Sequence, residues 1–379
     1  MSAIKTYITE GRCVTPLGFD TDTNWQQLLA GHSEIKNHTL IEGQPSFLAS
    51  RMDDDALNEK FRDNFDHPSF TRLEKMLMLS LKPLIEKHTV SPDSVLILST
   101  TKGNISHLKN CAFPPEASYL PVLAQRIADF FAFSTRPVII SNACVSGVMA
   151  VSLAKNLLES GMYRDAFVIA GDEVSEFVLS GFNSFQALSP EPCKPYDASR
   201  NGISIGEATA AVYVTTTVPE NEIFFEICGE SAVNDANHIS GPSRTGEGLY
   251  LSITNALREA GIPAAAIDYL SAHGTATVYN DEMESIAFTR AGLQQVPVNS
   301  LKGFYGHTLG AAGLLELVLA MESAKRNTLI ASKNYRESGV SHPLNILTEH
   351  LEKETNYILK TASGFGGCNA AVILKKHKP

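Results

Sequence analysis

Along the chain, short apolar runs rich in β-branched residues alternate with longer stretches in which apolar residues recur every three or four positions. The runs at 95–100, 166–170, 224–228 and 269–272 have the length and composition of strands. Val148, Val151, Ala154 and Leu158 mark one face of a helix, and the segment from Gly310 through Leu317 to Ala324 marks another. Residues 248–260, 282–290 and 70–79 carry the same helical spacing. Strands alternating with helices predict an α/β fold built in layers.

The pattern also repeats. Gly206-Glu-Ala-Thr-Ala-Ala-Val-Tyr-Val214 resembles Gly366-Gly-Cys-Asn-Ala-Ala-Val-Ile-Leu374 at a spacing of 160 residues, and about the same spacing lays Pro137-Val-Ile-Ile-Ser-Asn142 on Val296-Pro-Val-Asn-Ser300. In each copy a β-branched run leads through small residues into a helical stretch. The chain reads as two related halves, 1–219 and 220–379, meeting near Pro219 and forming one fused unit.

Composition narrows the function. With 379 residues and 44% hydrophobic content, the chain can build a large core. Its longest apolar stretches, such as 314–321 interrupted by Glu316, are too short to span a bilayer, and the N-terminus lacks a basic-then-apolar signal pattern, so a cytoplasmic location is expected. Six cysteines without paired metal spacing fit a reduced compartment, and no metal site is expected. A net charge of −10 argues against nucleic-acid binding but leaves room for an acidic protein partner at a local basic patch.

Candidate chemistry concentrates in three segments. Cys144 lies in Ser-Asn-Ala-Cys-Val-Ser-Gly, His273 in His-Gly-Thr-Ala-Thr-Val-Tyr-Asn-Asp, and His307 in Lys-Gly-Phe-Tyr-Gly-His-Thr-Leu-Gly-Ala-Ala-Gly. A thiol with two imidazoles suits acyl-thioester chemistry, in which sulfur accepts an acyl group and donors stabilise an oxyanion or enolate. The place of Cys144 between a strand and a helix start predicts a thiol whose pKa is lowered by the helix end. The other five cysteines have no such neighbours. Gly364-Phe-Gly-Gly367 is not followed by Gly-Lys-Ser/Thr, so it is not a nucleotide phosphate loop. Lys194-Pro-Tyr-Asp-Ala-Ser-Arg200 reads as a loop held by an ion pair, and Asp281 as a hydrogen-bond acceptor that anchors a loop.

Taken together, the Cys144, His273 and His307 segments, Lys194 to Arg200, Gly364-Phe-Gly-Gly-Cys-Asn369 and the opening Tyr7-Ile-Thr-Glu-Gly-Arg-Cys-Val-Thr-Pro-Leu-Gly18 resemble the β-ketoacyl-(acyl-carrier-protein) synthases, condensing enzymes of the thiolase superfamily. The resemblance implies a duplicated αβαβα sandwich with Cys144 and His307 at the starts of related helices facing one cleft. It implies that Cys144 accepts an acyl group and that His273 and His307 hold the thioester carbonyl of malonyl-acyl-carrier protein during decarboxylation, giving a 3-oxoacyl product. Lys302 joins this catalytic set as a support for the histidines, with Glu316 beside it. Phe365 would supply an oxyanion-hole N–H with Cys144 and gate the acyl pocket by its ring. Arg72 and Lys75 would dock the acidic carrier, whose phosphopantetheine arm is the only prosthetic group expected. A homodimer, or a heterodimer with a related subunit, is implied.

The chain departs from the family at Gly206-Glu-Ala-Thr-Ala, where glycines are usual, at Ser363, where phenylalanine is common, and between Gly103 and Cys144, which is short and contains Phe113-Pro-Pro. That shortening points to altered chain-length or partner selection, as in a specialised polyketide or aryl-polyene pathway. Two other readings follow from the same residues. A chain-length-factor-like partner subunit would be non-catalytic, but such subunits usually lack the cysteine. A non-decarboxylating thiolase would use Cys368 as a second, proton-transferring thiol.

Overall fold

The computed structural model describes residues 4–39, 46–66, 69–109, 114–235 and 241–379; Cys111 and Phe113 lie outside them. The first half contains β1 (Tyr7–Val14), α1 (Thr21–Leu29), β2 (Ile35–His38), β3 (Phe47–Ser50), α2 (Asp54–Arg62) and α3 (Arg72–Lys87). It continues with β4 (Ser94–Ser99), α4 (Leu120–Phe130), β5 (Val138–Ile140), α5 (Ser146–Glu159), β6 (Asp165–Asp172), α6 (Glu176–Ser184), β7 (Ile205–Gly206) and β8 (Ala208–Thr215). The second half contains β9 (Phe224–Asn234), α7 (Glu247–Ala260), β10 (Tyr269–Ser271), α8 (Val278–Arg290), β11 (Val298–Asn299) and α9 (Lys302–Tyr305). It ends with α10 (Ala312–Lys325), β12 (Thr328–Leu329), β13 (Leu351–Glu352), β14 (Tyr357–Gly364) and β15 (Cys368–His377).

Among the described residues, ten strands form one sheet in the order β11-β10-β14-β15-β9-β1-β8-β6-β4-β5. Its two ends have the same plan. Going outward from the centre, β1-β8-β6-β4-β5 and β9-β15-β14-β10-β11 each run antiparallel, antiparallel, parallel, parallel. The repeat seen in the sequence is therefore a repeat of topology: β8 begins at Ala208 and β15 at Cys368, 160 residues on. Tyr7 and Ile8 of β1 pair with Glu226 and Phe225 of β9 and join the two halves.

Strand alternation sorts the side chains into layers. Val95 and Ile97 of β4 point into a central core shared with α5, α10 and Val372 and Leu374 of β15. Leu96 and Leu98 point the other way, onto Leu73, Leu77 and Leu81 of α3 and Leu123 of α4. In the second half Leu359 and Ile373 face Leu249 and Ile253 of α7 and Phe288 of α8. The result is the αβαβα sandwich that the resemblance implies, with α5 and α10 as its middle layer.

That middle layer positions the chemistry. A Cβ on Gly147 would lie 2.6 Å from the Leu314 amide nitrogen, and one on Gly313 2.9 Å from the Val148 nitrogen, so the starts of α5 and α10 touch only because both residues are glycine. Gly206 is bound as tightly: its Cβ would collide with the Tyr305 carbonyl oxygen. The alanines that follow Gly206 leave this approach intact.

Candidate active site

After β5 the chain turns sharply into α5. Ala143 takes φ 44°, a left-handed conformation unfavourable for a residue with a Cβ. Ser146 Oγ holds the turn, accepting from the Asn142 N–H at 2.7 Å and donating to the Ala143 carbonyl at 2.6 Å. Cys144 is thereby presented at the mouth of α5, yet it is buried, with 6% exposure.

His307 is fixed from the other half. Its N–H donates to the Ser204 carbonyl at 2.7 Å, and its carbonyl accepts from the Gly206 N–H at 3.0 Å. His307 Nε2 lies 2.9 Å from Cys144 Sγ. His273, just beyond β10, stands edge-on to His307 with ring centroids 5.2 Å apart. The three side chains line one cavity of about 540 Å³ with Phe182, Met283 and Phe365.

Charged groups lie behind the imidazoles. Lys302 Nζ donates to the His273 carbonyl at 2.5 Å and to Glu316 Oε1 at 2.7 Å, and lies 3.4 Å from His273 Nδ1. An ammonium only donates, so Nδ1 is the acceptor and the ring proton of His273 sits on Nε2. The other Glu316 oxygen holds Lys360 Nζ at 2.6 Å. Lys360 was not singled out in the sequence; its only signal there is a lysine inside an apolar strand. The ligating atoms of Cys144, His273 and His307 fall within 4.8 Å of one another, close enough to share a metal ion. Two buried ammoniums with one carboxylate between them leave a positive charge behind the rings that opposes a divalent cation.

Burial sets the protonation states. It holds both histidines well below the usual imidazole range, with Lys302 acting in the same direction, so both rings are neutral at neutral pH. It also pushes the Cys144 thiol up to about 12, against the opposing pull of Lys302. This runs opposite to the lowered thiol pKa expected from the helix start, and its largest cause is removal of the sulfur from water. The thiol needs a base, and His307 is in contact with it. Among the described residues His307 Nδ1 has no hydrogen-bond partner, so none of them locks that ring in one tautomer.

The loop between β14 and β15 closes the cavity. Gly366 and Gly367 have φ of 88° and 79°, and a Cβ on Gly364 would lie 3.1 Å from the Cys144 nitrogen. Phe365 is 39% exposed, and its ring sits 5.8 Å from Phe182 and 5.3 Å from Phe185. Asp235, another residue not anticipated, ties the loop down: its N–H donates to the Gly367 carbonyl at 2.7 Å, and its carboxylate accepts from Asn369 Nδ2 at 3.1 Å and the Gly248 N–H at 2.8 Å. Cys368 is outside the cavity lining, its thiol turned to the Phe365 carbonyl at 3.3 Å. That placement gives no support to a thiolase-type second thiol.

Below His273, Asp281 accepts from the N–H groups of Tyr196 and Thr275 at 2.7 and 2.9 Å and lies 3.8 Å from Arg200 Nε. Glu284 accepts from the His273 and Gly274 N–H groups and the Tyr196 hydroxyl at 2.9, 2.7 and 2.9 Å. Burial, reinforced by Asp281, raises the Glu284 carboxyl to about 7.

Arg72 and Lys75, expected at a carrier-docking surface, lie on α3. Arg72 is ion-paired to the fully buried Glu207 and to Asp54 and donates to the Met52 carbonyl at 2.8 Å. Lys75 donates to Asn58 at 2.7 Å and lies over the Phe61 ring. Both cations are part-buried and have partners within the fold.

Comparison with known proteins places the whole assembly. The β-ketoacyl synthase N-terminal domain matches residues 99–218, and the β-ketoacyl synthase C-terminal domain matches residues 224–336. The chain is 27% identical to 3-oxoacyl-[acyl-carrier-protein] synthase 2 of Rhizobium meliloti (strain 1021), covering 98% of this chain and 99% of that protein. A solved ketosynthase in complex with its chain length factor, from Xenorhabdus doucetiae, aligns with a TM-score of 0.86 at 27% identity over 98% of both chains. A β-ketoacyl synthase from Burkholderia phymatum STM815 shares the fold at a TM-score of 0.85 and 23% identity, covering 99% of this chain and 100% of that one.

Proposed function

The chain belongs to the β-ketoacyl synthase family, and on that premise we propose how its buried cysteine and histidines divide the work of a decarboxylating condensation. It is an acyltransferase that joins an enzyme-bound acyl group to malonyl-acyl-carrier protein and yields 3-oxoacyl-carrier protein. The observation that carries the assignment of roles is the 2.9 Å approach of His307 Nε2 to Cys144 Sγ beside His273 in one cavity.

In the first half-reaction, neutral His307 takes the Cys144 proton at Nε2. The sulfur attacks the acyl thioester, and the departing pantetheine sulfur takes that proton back. The N–H groups of Cys144 and Phe365 serve the tetrahedral oxyanion. In the second, malonyl-carrier protein enters, and its thioester carbonyl accepts hydrogen bonds from Nε2–H of His273 and His307. The bond to the carboxylate breaks, carbon dioxide leaves, and the electron pair forms an enolate held by those two donors. The enolate carbon attacks the acyl carbonyl, and the Cys144 thiolate leaves and takes up a proton from water to restore the neutral thiol. His307 needs a free Nε2 first and an Nε2–H later, which its unlocked tautomer permits; His273 needs only the Nε2–H that Lys302 favours.

The acyl carrier protein supplies the phosphopantetheine arm, and the enzyme contributes no cofactor of its own. We assign the protein to the cytoplasm, in line with the free thiols at Cys13, Cys144, Cys193, Cys228 and Cys368, and place the division of the halves at 219/220, between β8 and β9. Dimerisation, with an identical or related subunit, is proposed at the free edge of β5, whose residues are half-buried. Intact-mass analysis after exposure to a panel of acyl-carrier proteins identifies the starter on Cys144. Product formation with malonyl-carrier protein but not with acetyl-CoA as extender is expected; the reverse preference refutes the decarboxylating reaction.

A further inference from the structure

β14 carries one charged side chain within an apolar stretch. Lys360 is fully buried and does not line the cavity. It lies in register with Ser271 of the neighbouring parallel strand β10. Its Nζ donates to the Ser271 and Ala272 carbonyls at 3.2 and 3.1 Å and to Glu316 Oε2 at 2.6 Å. These carbonyls belong to the two residues immediately before His273. The other Glu316 oxygen holds Lys302, which grips His273 at its carbonyl and faces its ring. A buried charge is tolerated only when paired and hydrogen-bonded, and here all three acceptors converge on one ammonium. The arrangement is a cation site of two carbonyls and half a carboxylate, filled by a tethered occupant.

We propose that Lys360 is a positioning residue for decarboxylation, clamping the peptide that leads into His273 and dividing Glu316 between two ammoniums so that Lys302 stays on the His273 ring. This rests on the condensation reading above. Lys360 touches neither substrate nor nucleophile. Its loss therefore acts on the step that uses His273 and spares the step that uses Cys144 and His307.

The test compares Lys360→Met, which fills the space without charge, with Lys360→Ser, which leaves the oxygen cage open. Both are checked for folding by circular dichroism and thermal melting. With malonyl-carrier protein, each is expected to lose about 10- to 100-fold in decarboxylation kcat, the usual effect of removing such a supporting partner, with KM and Cys144 acylation near wild type. Ammonium or methylammonium chloride at tens of millimolar, against sodium chloride at equal ionic strength, should restore Lys360→Ser several-fold and leave Lys360→Met and wild type unchanged. Unaltered decarboxylation in both variants overturns the proposal. So does an equal loss of acylation and decarboxylation with no response to added cations, which would mark Lys360 as support for the fold alone. Failure of the wild-type protein to decarboxylate malonyl-carrier protein would instead overturn the condensation reading.

Discussion

Replacing His307 and His273 separately by alanine should split the two half-reactions. The prediction starts from the Cys144 thiol, which burial holds at about 12. At pH 8 such a thiol is ionised in about one molecule in 10⁴, equivalent to about 5 kcal/mol of activation if no base assists. His307 is the base in contact with it, and its own pKa, pushed well below the ordinary value, keeps it neutral and competent across the working range. His307→Ala also admits water beside the sulfur and eases the burial. A loss of about 10²- to 10³-fold in acylation, within the range typical of a removed general base, is therefore expected rather than the full 10⁴. His273→Ala leaves the Cys144 and His307 pair intact, so acylation should stay within a few-fold of wild type. Decarboxylation in that variant should fall about 10²- to 10³-fold, about 3 to 4 kcal/mol, for one missing oxyanion donor.

The pH profile separates a lost base from a damaged fold. Around the rings stand Lys302, Lys360 and Glu316, with Glu284 on the His273 backbone and Cys144 before His307. In the wild type the thiol pKa lies above the assay window and the histidine values below it, so acylation should be flat from about pH 7 to 9. Without His307 only the free thiolate reacts, and the rate should climb roughly tenfold per pH unit until the thiol itself titrates. Single-turnover acylation by an acyl-N-acetylcysteamine thioester, followed by intact mass from pH 6 to 10, measures both. A flat profile at wild-type rate in His307→Ala, or equal acylation losses in the two alanine variants, would refute the reasoning.

Cys144→Ala should abolish covalent acylation while malonyl-carrier protein still loses carbon dioxide, because His273 and His307 remain; normal acylation of the variant, seen by mass, would remove Cys144 from its role. Arg72→Met should lower stability by about 3 kcal/mol or more, since it leaves the Glu207 carboxylate buried without its cation; a melting temperature equal to wild type would show that the pair is not a structural element. Gly206→Ala should cost both folding and condensation, because the new Cβ strikes the Tyr305 carbonyl next to the strand that holds His307; soluble protein with wild-type kcat would contradict the packing.

What could be read from the sequence is what local pattern encodes. The alternating runs at 95–100 and 166–170 became β4 and β6, the 248–260 stretch became α7, and the 160-residue repeat became two five-stranded halves of one plan. Cys144, His273 and His307 stood out because glycines and small residues around them announce turns and close approaches. The failures share one physical cause, that partners distant in sequence decide the state of a group. Nothing in the sequence around Arg72 shows its pairing with Glu207, which follows the Gly206 contact and is brought beneath it only in the fold. Cys144 looks activated by its helix, but the walls that dehydrate it come from both halves. Lys360 does not stand out until β14 and α10 meet, when a charge that is costly alone becomes the brace behind His273. The residues that do the chemistry are thus visible in local motifs, whereas the charges that tune them emerge only from tertiary packing, and that is where this chain can differ from its relatives without altering the cysteine and histidines themselves.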